Sequence, residues 1–168
     1  MNTTLNVRDL MQIRVHAVPP EMPLAALEQE FLDKRVSGFP VLDAGRLVGV
    51  VSRSDILRQL EVERQLAENT SDFYWDQSEF HEEPAESIEQ IASRVGQRIE
   101  DLHVRDLMSR HVVAVSADDS LAVLAQRLLE HHIHRVLVVE HGHLVGIVST
   151  LDLVRLFADK RVAVTESG

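Results

Sequence analysis

Two Ser-x-x-Asp motifs carry the residues best suited to binding chemistry in this sequence. Ser52 with Asp55, and Ser149 with Asp152, each follow a strand-like run of valine and isoleucine and begin a helical pattern. The N–H groups at a helix start attract an anion. An aspartate one turn later can accept the two hydroxyl hydrogen bonds that a ribose diol offers. The spacing is also that of a capping box, and the two interpretations are compatible, because one pair can cap the helix and also meet a ligand.

The residues beside the two motifs differ in charge. Arg53 follows the first serine and is a candidate to pair bidentately with a phosphate, whereas Thr150 follows the second serine and cannot do so. Arg135 is a candidate to compensate near the second motif. We therefore expect the two sites to differ in the ligand charge that they prefer.

The two motifs belong to an internal repeat. The sequence VRDLM occurs at residues 7–11 and again at 104–108, and a shift of 97 residues aligns 7–58 with 104–155 without a gap, with 22 of 52 positions identical. We expect the leucine and methionine of VRDLM to pack on the core. Asp9 and Asp106 are expected to act as caps or to pair with the neighbouring arginine. The chain is therefore a duplicated unit with a spacer between the copies.

The pattern of each copy predicts the element order β-α-β-β-α. β-branched stretches at 15–18 and 112–115 predict a first strand, and Pro23 or Ser120 opens a helix. Each helix has one apolar stripe. The stripes are Leu24, Leu27 and Phe31 in the first copy and Leu121, Leu124 and Leu128 in the second. Gly38 follows the first helix as its candidate C-cap.

A hairpin and a closing helix complete each copy. The hairpin strands lie at 40–42 with 47–51 and at 136–139 with 144–148, and the turns between them contain glycine. The closing helix starts near the serine of each motif. Because one copy alone buries little surface, we predict an α/β (α+β) fold in which two units pack around a pseudo-twofold axis and leave two related clefts.

The order and spacing of these motifs resemble the CBS domain, and two copies in tandem resemble a CBS pair, or Bateman module, of the stand-alone bacterial type. The resemblance covers residues 7–58 and 104–157. It implies a regulatory sensor and not an enzyme. Such a sensor binds an adenosyl ligand (AMP, ADP, ATP or S-adenosylmethionine) in clefts between the two CBS motifs and has no other cofactor. It also implies a homodimer that modulates an unidentified partner protein.

The resemblance further implies the ligand-binding residues. The serine of each motif would contact phosphate or ribose oxygen, and the aspartate would accept hydrogen bonds from ribose hydroxyls. The purine would lie against the first strand and the start of the hairpin. With the residues beside the motifs, the two sets are His16, Ala17, Phe39, Pro40, Ser52, Arg53 and Asp55, and Val113, Ala114, Arg135, Val136, Ser149, Thr150 and Asp152.

The composition of the chain argues against several classes of function. The chain of 168 residues has a formal net charge of −10 and no cysteine. An acidic balance without a basic stripe argues against nucleic-acid binding, and the lack of cysteine excludes disulfides and cysteine-based zinc or redox chemistry. Neither a secretory signal nor a membrane span is recognisable. We therefore expect a cytoplasmic protein without a membrane segment.

The spacer differs from both copies in composition. Residues 61–103 hold 12 acidic and 3 basic residues, and four of the seven aromatic residues, Phe73, Tyr74, Trp75 and Phe80. These aromatics either pin a long loop onto the modules or form a docking surface, and 87–99 is predicted to be helical. The predicted division is CBS 1 at 1–60, the partly helical spacer at 61–103, CBS 2 at 104–160 and a tail at 161–168.

Two competing functions remain at this point. A CBS scaffold could be an interaction and dimerisation module without bound nucleotide, in which case nucleotide would not change its melting temperature. Histidines at 131, 132 and 134, with 141 and 143 nearby, could suit zinc or nickel, although His131 and His132 also fit an exposed helix end. We expect no metal site, and no Ser–His–Asp hydrolase, because no single histidine is tied to the serine–aspartate pairs.

Overall fold

The structure of the chain is a computed structural model that describes residues 5–77, 93 and 96–159. A 3-10 turn at Val7–Asp9 precedes the main elements. In chain order these are α1 (Leu24–Lys34), β1 (Gly38–Asp43), β2 (Arg46–Ser52), α2 (Arg53–Gln77), α3 (Val104–Leu107), β3 (Ala114–Val115), α4 (Leu121–Glu130), β4 (Arg135–Glu140), β5 (His143–Ser149) and α5 (Thr150–Ala158). The predicted mixture of helices and small sheets is confirmed.

The chain divides into two compact units, each of which combines parts of both repeats. The first unit takes the N-terminal residues as far as His16, Asp43–Val48, and the second repeat from His111 onward. The second unit takes Ala17–Leu42 and Gly49–Arg110. We call residues 7–12 the first arm and residues 104–109 the second arm. The first arm thus folds with the second repeat, and the second arm folds with the first repeat.

The first unit is built on a three-stranded sheet packed against α4. Strand β4 lies in the middle, parallel to β3 and antiparallel to β5. The buried residues that form one aliphatic cluster are Val7, Val115, Ala117, Leu124, Leu128, Val136, Val138 and Val148. Val7 belongs to the first arm, and Leu10 and Met11 pack at the edge of the cluster. The prediction that VRDLM packs on the core is confirmed for this copy.

The first arm is also joined to the sheet through its backbone. Gln12 and Ile147 of β5 exchange two hydrogen bonds of 2.9 and 3.0 Å. A Cβ at Gly146 would lie 2.9 Å from Sδ of Met11 and 3.1 Å from the carbonyl oxygen of Gln12. Glycine at this position therefore permits the close approach of the arm to β5.

The second arm docks on the first repeat in the same way. Val50 and Ser109 exchange two backbone hydrogen bonds of 2.9 Å, and the N–H of Val104 donates to the carbonyl of Met22 at 2.9 Å. The buried apolar residues described in this unit are Val18, Leu24, Leu27, Phe31, Phe39, Val41, Val51, Ile56, Val104 and Leu107. The predicted apolar stripe of α1 is therefore confirmed as part of a core.

The aspartates of VRDLM cap the turns that begin the arms. Oδ2 of Asp9 accepts the N–H of Asn6 at 2.8 Å, and Oδ2 of Asp106 accepts the N–H of His103 at 2.9 Å. Each carboxylate thus satisfies a backbone donor that the short turn leaves unpaired. The predicted capping role is confirmed.

The first strand of each copy is shorter than predicted. The stretch 112–115 contains only β3, and the stretch 15–18 contributes a single parallel bridge between Val18 and Val41. Pro19 follows Val18 and has no N–H with which to continue a ladder. After β3, Ser116 begins a turn, since its carbonyl and its N–H both bond Asp119.

The ends of α1 also differ from the prediction. Gly38 is not the C-cap but the first residue of β1. Arg35 takes the left-handed conformation at the C-cap, with φ of 52°, and its N–H donates to the carbonyl of Phe31 at 3.2 Å. Pro23 is the N-cap and not the first helical residue, so its fixed φ precedes the helix by one position.

Two-residue loops close both hairpins. Ala44 and Gly45 have φ of 47° and 81°, and His141 and Gly142 have φ of 52° and 81°. Two successive positive φ values define the type I′ turn, whose twist matches that of antiparallel strands. The predicted hairpins are confirmed.

Helix α2 runs from the first motif into the spacer over 25 residues. Phe73, Tyr74 and Trp75 therefore lie in helical backbone, and the alternative in which a loop carries them is wrong. Of residues 87–99, only 93 and 96–99 are described, and these are helical; Phe80 lies outside the described residues. None of the helices described is both long and apolar enough to cross a lipid bilayer.

Candidate functional site

The second motif forms a ring of hydrogen bonds at the start of α5. Ser149 is the N-cap, and both its N–H and its hydroxyl donate to Oδ2 of Asp152, at 2.8 and 2.6 Å. The N–H of Asp152 donates back to Oγ of Ser149 at 3.4 Å. This is the capping box that the spacing predicted. It holds the carboxylate by one oxygen and leaves the other oxygen, Oδ1, to further partners.

Oδ1 of Asp152 has two longer contacts. Nε2 of Gln12 donates to it at 3.4 Å, and Nη1 of Arg155 lies 3.7 Å away. Burial alone raises the pKa of this carboxyl, which is only 9% exposed. The hydrogen bonds from Ser149 and Gln12, with the charge of Arg155, outweigh burial, so the pKa lies below its usual value. The site therefore holds an ionised carboxylate, which is an acceptor for hydroxyl groups.

The first motif has the same inner geometry and a different outer partner. The N–H and the hydroxyl of Ser52 donate to Oδ2 of Asp55 at 2.7 and 2.6 Å. Oδ1 of Asp55 accepts from Nη1 of Arg58 at 3.1 Å. The side chain of Arg58 is 73% exposed, so water screens this ion pair and its contribution is small. Arg58 and Arg155 are equivalent residues of the repeat, but Arg155 lies farther from its carboxylate.

Arg53 is engaged at the end of α1. Its Nη2 donates to the carbonyl of Phe31 at 2.9 Å, and its guanidinium lies 5.6 Å from the centroid of the Phe31 ring. This carbonyl belongs to the last turn of α1, where a cation is favourable for the helix dipole. The phosphate contact predicted for Arg53 stays a prediction, and it would require the side chain to leave this position.

The first N–H group of each motif helix is not free. The N–H of Arg53 donates to the carbonyl of Ser37 at 3.2 Å, and that of Thr150 donates to the carbonyl of His134 at 2.9 Å. The hydroxyl of Thr150 donates to the same carbonyl of His134 at 3.2 Å. The prediction that these N–H groups are open to an anion is therefore wrong at this position, because a carbonyl of the preceding segment occupies it.

In the second unit, the residues predicted to meet the purine lie side by side. Phe39 and Pro40 are buried at the start of β1, and Ala17 is half-buried. The residue after Ala17, Val18, donates its N–H to the carbonyl of Pro40 at 3.0 Å. His16 is exposed and belongs to the first unit. The structure thus brings Ala17, Phe39 and Pro40 into the unit of the first motif but assigns His16 to the other unit.

In the first unit, the second set of predicted residues lies at or beside β3, at the start of β4 and at the start of α5. Val113 and Ala114 are half-buried, Val136 is buried, and Arg135 is exposed. Arg135 lies opposite Ser149 in the register of β4 and β5. All members of this set therefore fall in one unit.

Gln12 is a residue of this site that sequence reasoning missed. It directly follows VRDLM in the first arm, and Ser109 occupies the same position in the second arm. The only available signal was a polar residue at a fixed offset from a repeated motif. No periodicity links Gln12 to Asp152, which is 140 residues away.

The histidine cluster does not gather into a metal centre in the part of the chain that the structure describes, where no three metal-ligating side chains are arranged to hold an ion. His131 and His132 are exposed at the end of α4. Nδ1 of His143 lies 3.1 Å from the carbonyl of Gly45. These histidines therefore lie in different local environments and do not converge on one point.

Comparison with known proteins places these two motifs in a family. A model of the CBS domain matches residues 7–62 and 104–159. The chain belongs to the CBS domain family. Its two CBS domains coincide with the two repeats, and each of them contains one arm and one Ser-x-x-Asp motif. The duplication inferred from the sequence is confirmed.

Several known proteins are similar to most of this chain. An uncharacterized protein of Methanocaldococcus jannaschii is 28% identical over 159 residues, which cover 88% of this chain and 88% of that protein. The gamma-3 subunit of Homo sapiens 5'-AMP-activated protein kinase is 27% identical over 135 residues, which cover 79% of this chain but 22% of that subunit. The crystal structure of CBSX2 in complex with AMP is 27% identical, with a TM-score of 0.66, and the match covers 94% of this chain and 98% of that chain.

Proposed function

We propose that this CBS pair is a regulatory module, and not a catalytic one, that binds an adenosyl ligand at one or both Ser-x-x-Asp motifs. The observation that carries the proposal is the matched carboxylate of Asp55 and Asp152. In both motifs serine holds Oδ2 through two short hydrogen bonds, whereas the contacts of Oδ1 are longer, from 3.1 to 3.7 Å. A ribose diol can donate two hydroxyl hydrogens to such a carboxylate.

The surroundings of each carboxylate fit the rest of a nucleoside. A hydrogen bond to a charged group contributes about 1.5–3 kcal/mol, enough to orient a ribose. Half-buried apolar residues of the predicted sets would supply a surface for the flat purine, namely Ala17 in one unit and Val113 and Ala114 in the other. An apolar surface with a few well-placed polar groups is the usual composition of a small-molecule site. This combination favours a nucleoside over a free phosphate or a metal ion.

The relatives support an adenosyl compound as the ligand. The CBSX2 structure, similar along nearly the whole chain, contains AMP, and the gamma-3 subunit belongs to an AMP-activated kinase. AMP, ADP, ATP and S-adenosylmethionine share the adenosyl group that the carboxylate and the apolar surface would recognise. The ligand would therefore be one of these four.

Regulation would follow from the position of the motifs at the first turns of α2 and α5. A ligand bound to Asp55 or Asp152 would contact the start of a helix directly. It would therefore stabilise the helix position for which its affinity is highest. A ligand shifts such an equilibrium only by the difference between its affinities for the two states. The regulated partner protein would respond to this shift.

Thermal unfolding with the four adenosyl ligands tests the proposal. A ligand at about 100 times its Kd adds roughly 2.7 kcal/mol of stability, which raises Tm visibly. Asp55→Ala should abolish the contribution of the first site, Asp152→Ala that of the second, and the double variant the whole shift. Asp106→Ala is the matched control, because it removes a capping carboxylate outside both motifs. No shift with any ligand in the unaltered chain overturns the proposal.

A second candidate function is assembly, which the exposed helix positions favour. Equivalent positions of the two repeats carry large exposed apolar side chains, and these pairs are Leu32 with Leu129, Leu57 with Val154, and Leu60 with Phe157. Leu32 and Leu129 are 67% and 74% exposed. A repeated exposed apolar surface is typical of a protein contact, and a second copy of the chain presents the same surface. We propose a homodimer formed through these helices.

Sedimentation velocity tests this assembly. Leu129→Glu should convert the dimer to a monomer, whereas Ile13→Glu should leave it intact, because Ile13 is equally exposed but lies outside the helices. A monomeric unaltered chain contradicts the assembly proposal. A dimer whose Tm no adenosyl ligand changes would favour assembly as the primary function.

A further inference from the structure

The first arm is fixed to the second repeat by contacts of several kinds. Val7 is fully buried in the core of the first unit. Nη2 of Arg8 lies 2.8 Å from Oδ1 of Asp118, and its N–H donates to the carbonyl of Ala117 at 2.8 Å. The arm is therefore part of the first unit along its whole length, from the core to β5.

This docking places Gln12 beside the second motif. The two backbone hydrogen bonds with Ile147 hold Gln12 next to β5, two residues before Ser149 begins the capping box. The side-chain amide then reaches the first turn of α5, where Nε2 lies 3.4 Å from Oδ1 of Asp152. A residue of the first repeat thus contacts the carboxylate of the second repeat.

The amide of Gln12 limits the orientation of this carboxylate. Ser149 holds Oδ2, and Gln12 donates to Oδ1, so Asp152 is held at both oxygens. A carboxylate held at both oxygens presents a fixed plane to a ligand diol. The amide is neutral, so it adds no positive charge beside the carboxylate, unlike Arg155, whose Nη1 lies 3.7 Å from the same oxygen.

The first motif is arranged differently at the same point. The equivalent residue of the second arm is Ser109, whose side chain is shorter and has no amide. Oδ1 of Asp55 instead accepts from Arg58, a cation of its own helix, at 3.1 Å. The nearest contact of Oδ1 thus comes from the opposite repeat in Asp152 and from its own helix in Asp55.

We infer that Gln12 is a positioning residue of the second site and sets its preference for a ribose diol, so that binding at Asp152 depends on the docked first arm. This inference rests on the proposed adenosyl-binding function and adds to it a residue outside the motif. It also predicts that the two sites respond differently to one substitution in the first arm.

Isothermal titration calorimetry with AMP tests this dependence one site at a time. In an Asp55→Ala background, Gln12→Ala should weaken AMP binding about tenfold, near the lower limit for one hydrogen bond to a charged group. Ser109→Ala in the same background is the matched control and should leave the Kd unchanged. In an Asp152→Ala background, Gln12→Ala should not change AMP binding at the first site.

A second variant and a ligand-free measurement separate positioning from folding. Gln12→Glu keeps the size of the side chain but places a second negative charge beside Asp152, so it should weaken AMP binding more than Gln12→Ala. Carboxyl NMR titration without ligand should find the pKa of Asp152 higher in Gln12→Ala, because a hydrogen bond that lowers it is gone. Ser109→Ala should not move this pKa.

Three results of these binding measurements would count against the inference, and each has a different meaning. An unchanged AMP affinity of Gln12→Ala at the second site overturns the inference and leaves the proposed function intact. An equal loss at both sites also overturns it, because that result indicates general destabilisation. If the unaltered chain and both single-site backgrounds bind none of AMP, ADP, ATP and S-adenosylmethionine, the proposed function is wrong and the inference falls with it.

Discussion

The sulfur of Met11 lies 2.9 Å from the point that a Cβ at Gly146 would occupy. We therefore expect Gly146→Ala to lower the free energy of unfolding by about 1–3 kcal/mol, the usual cost of adding a methyl group to a tightly packed contact. Urea denaturation measures this change. Met11→Ala should restore part of the loss in the double variant, since the flexible side chain is one of the obstructing groups.

The equivalent glycine of the first repeat provides the comparison. A Cβ at Gly49 would lie 2.7 Å from the carbonyl oxygen of Ser109 and 2.9 Å from Sδ of Met108. Backbone cannot yield as a methionine does, so Met108→Ala should rescue Gly49→Ala less than Met11→Ala rescues Gly146→Ala. Equal rescue at the two positions would contradict the finding that backbone approaches Gly49 most closely and a methionine side chain approaches Gly146 most closely.

Acid should destabilise the chain partly through Asp152. Its pKa in the folded chain lies below the ordinary value of 3.8, so the unfolded state takes up the proton first as the pH falls. The stabilisation is fully present above about pH 5 and is lost as the pH falls through the folded pKa. Asp152→Asn should therefore make the free energy of unfolding less dependent on pH in this acidic range. Urea titrations at a series of pH values measure the slope, and an unchanged slope refutes the assignment.

Arg53 should stabilise the chain in the absence of ligand. Arg53→Ala loses the hydrogen bond to the carbonyl of Phe31 and the stacking on its ring, and we expect a loss of about 1 kcal/mol. Thr150→Ala, the equivalent change, removes only the longer hydrogen bond from its hydroxyl to the carbonyl of His134, so it should cost less. Comparing the AMP and adenosine affinities of Arg53→Ala tests the phosphate role separately: a selective loss of AMP affinity would indicate that the side chain also reaches the phosphate.

Hydrogen exchange should show that each arm folds with the other repeat. Val7→Ala removes a buried contact of the first unit, which costs about 2 kcal/mol, and should reduce amide protection in β4 and β5. Val104→Ala should instead reduce protection around α1 and β1, because Val104 is buried in the second unit. The same protection pattern in both variants would argue against exchanged arms.

The local elements of this fold could be predicted because their signals are local. The type I′ turns follow from glycine at Gly45 and Gly142 between alternating strands. The capping boxes follow from the spacing of serine and aspartate at the starts of α2 and α5. The end of α1 was not predictable in this way, because Arg35 takes a left-handed conformation that glycine usually provides.

The exchange of arms and the role of Gln12 could not be predicted from one sequence. Repeat identity indicates that two copies exist, but either arm could pack on its own copy or on the other with the same apolar pattern. The contacts of Val7 and Gln12 with the second repeat are among those that distinguish the two arrangements. For the same reason, the predicted division at residues 60 and 104 describes the repeats and not the compact units.

Because α2 is much longer than α5, a small rotation at the first motif would displace its far end more than the same rotation at the second motif would displace the end of α5. Both motifs sit at the first turn of a helix, but α2 continues for 25 residues and α5 for 9. At 1.5 Å per residue, the far end of α2 lies roughly 37 Å from Ser52. A tilt of about 5° at the motif would therefore displace that end by about 3 Å. The same tilt of α5 would move its end by about 1 Å, so the same angular change at a motif would displace the end of α2 about three times as far as the end of α5.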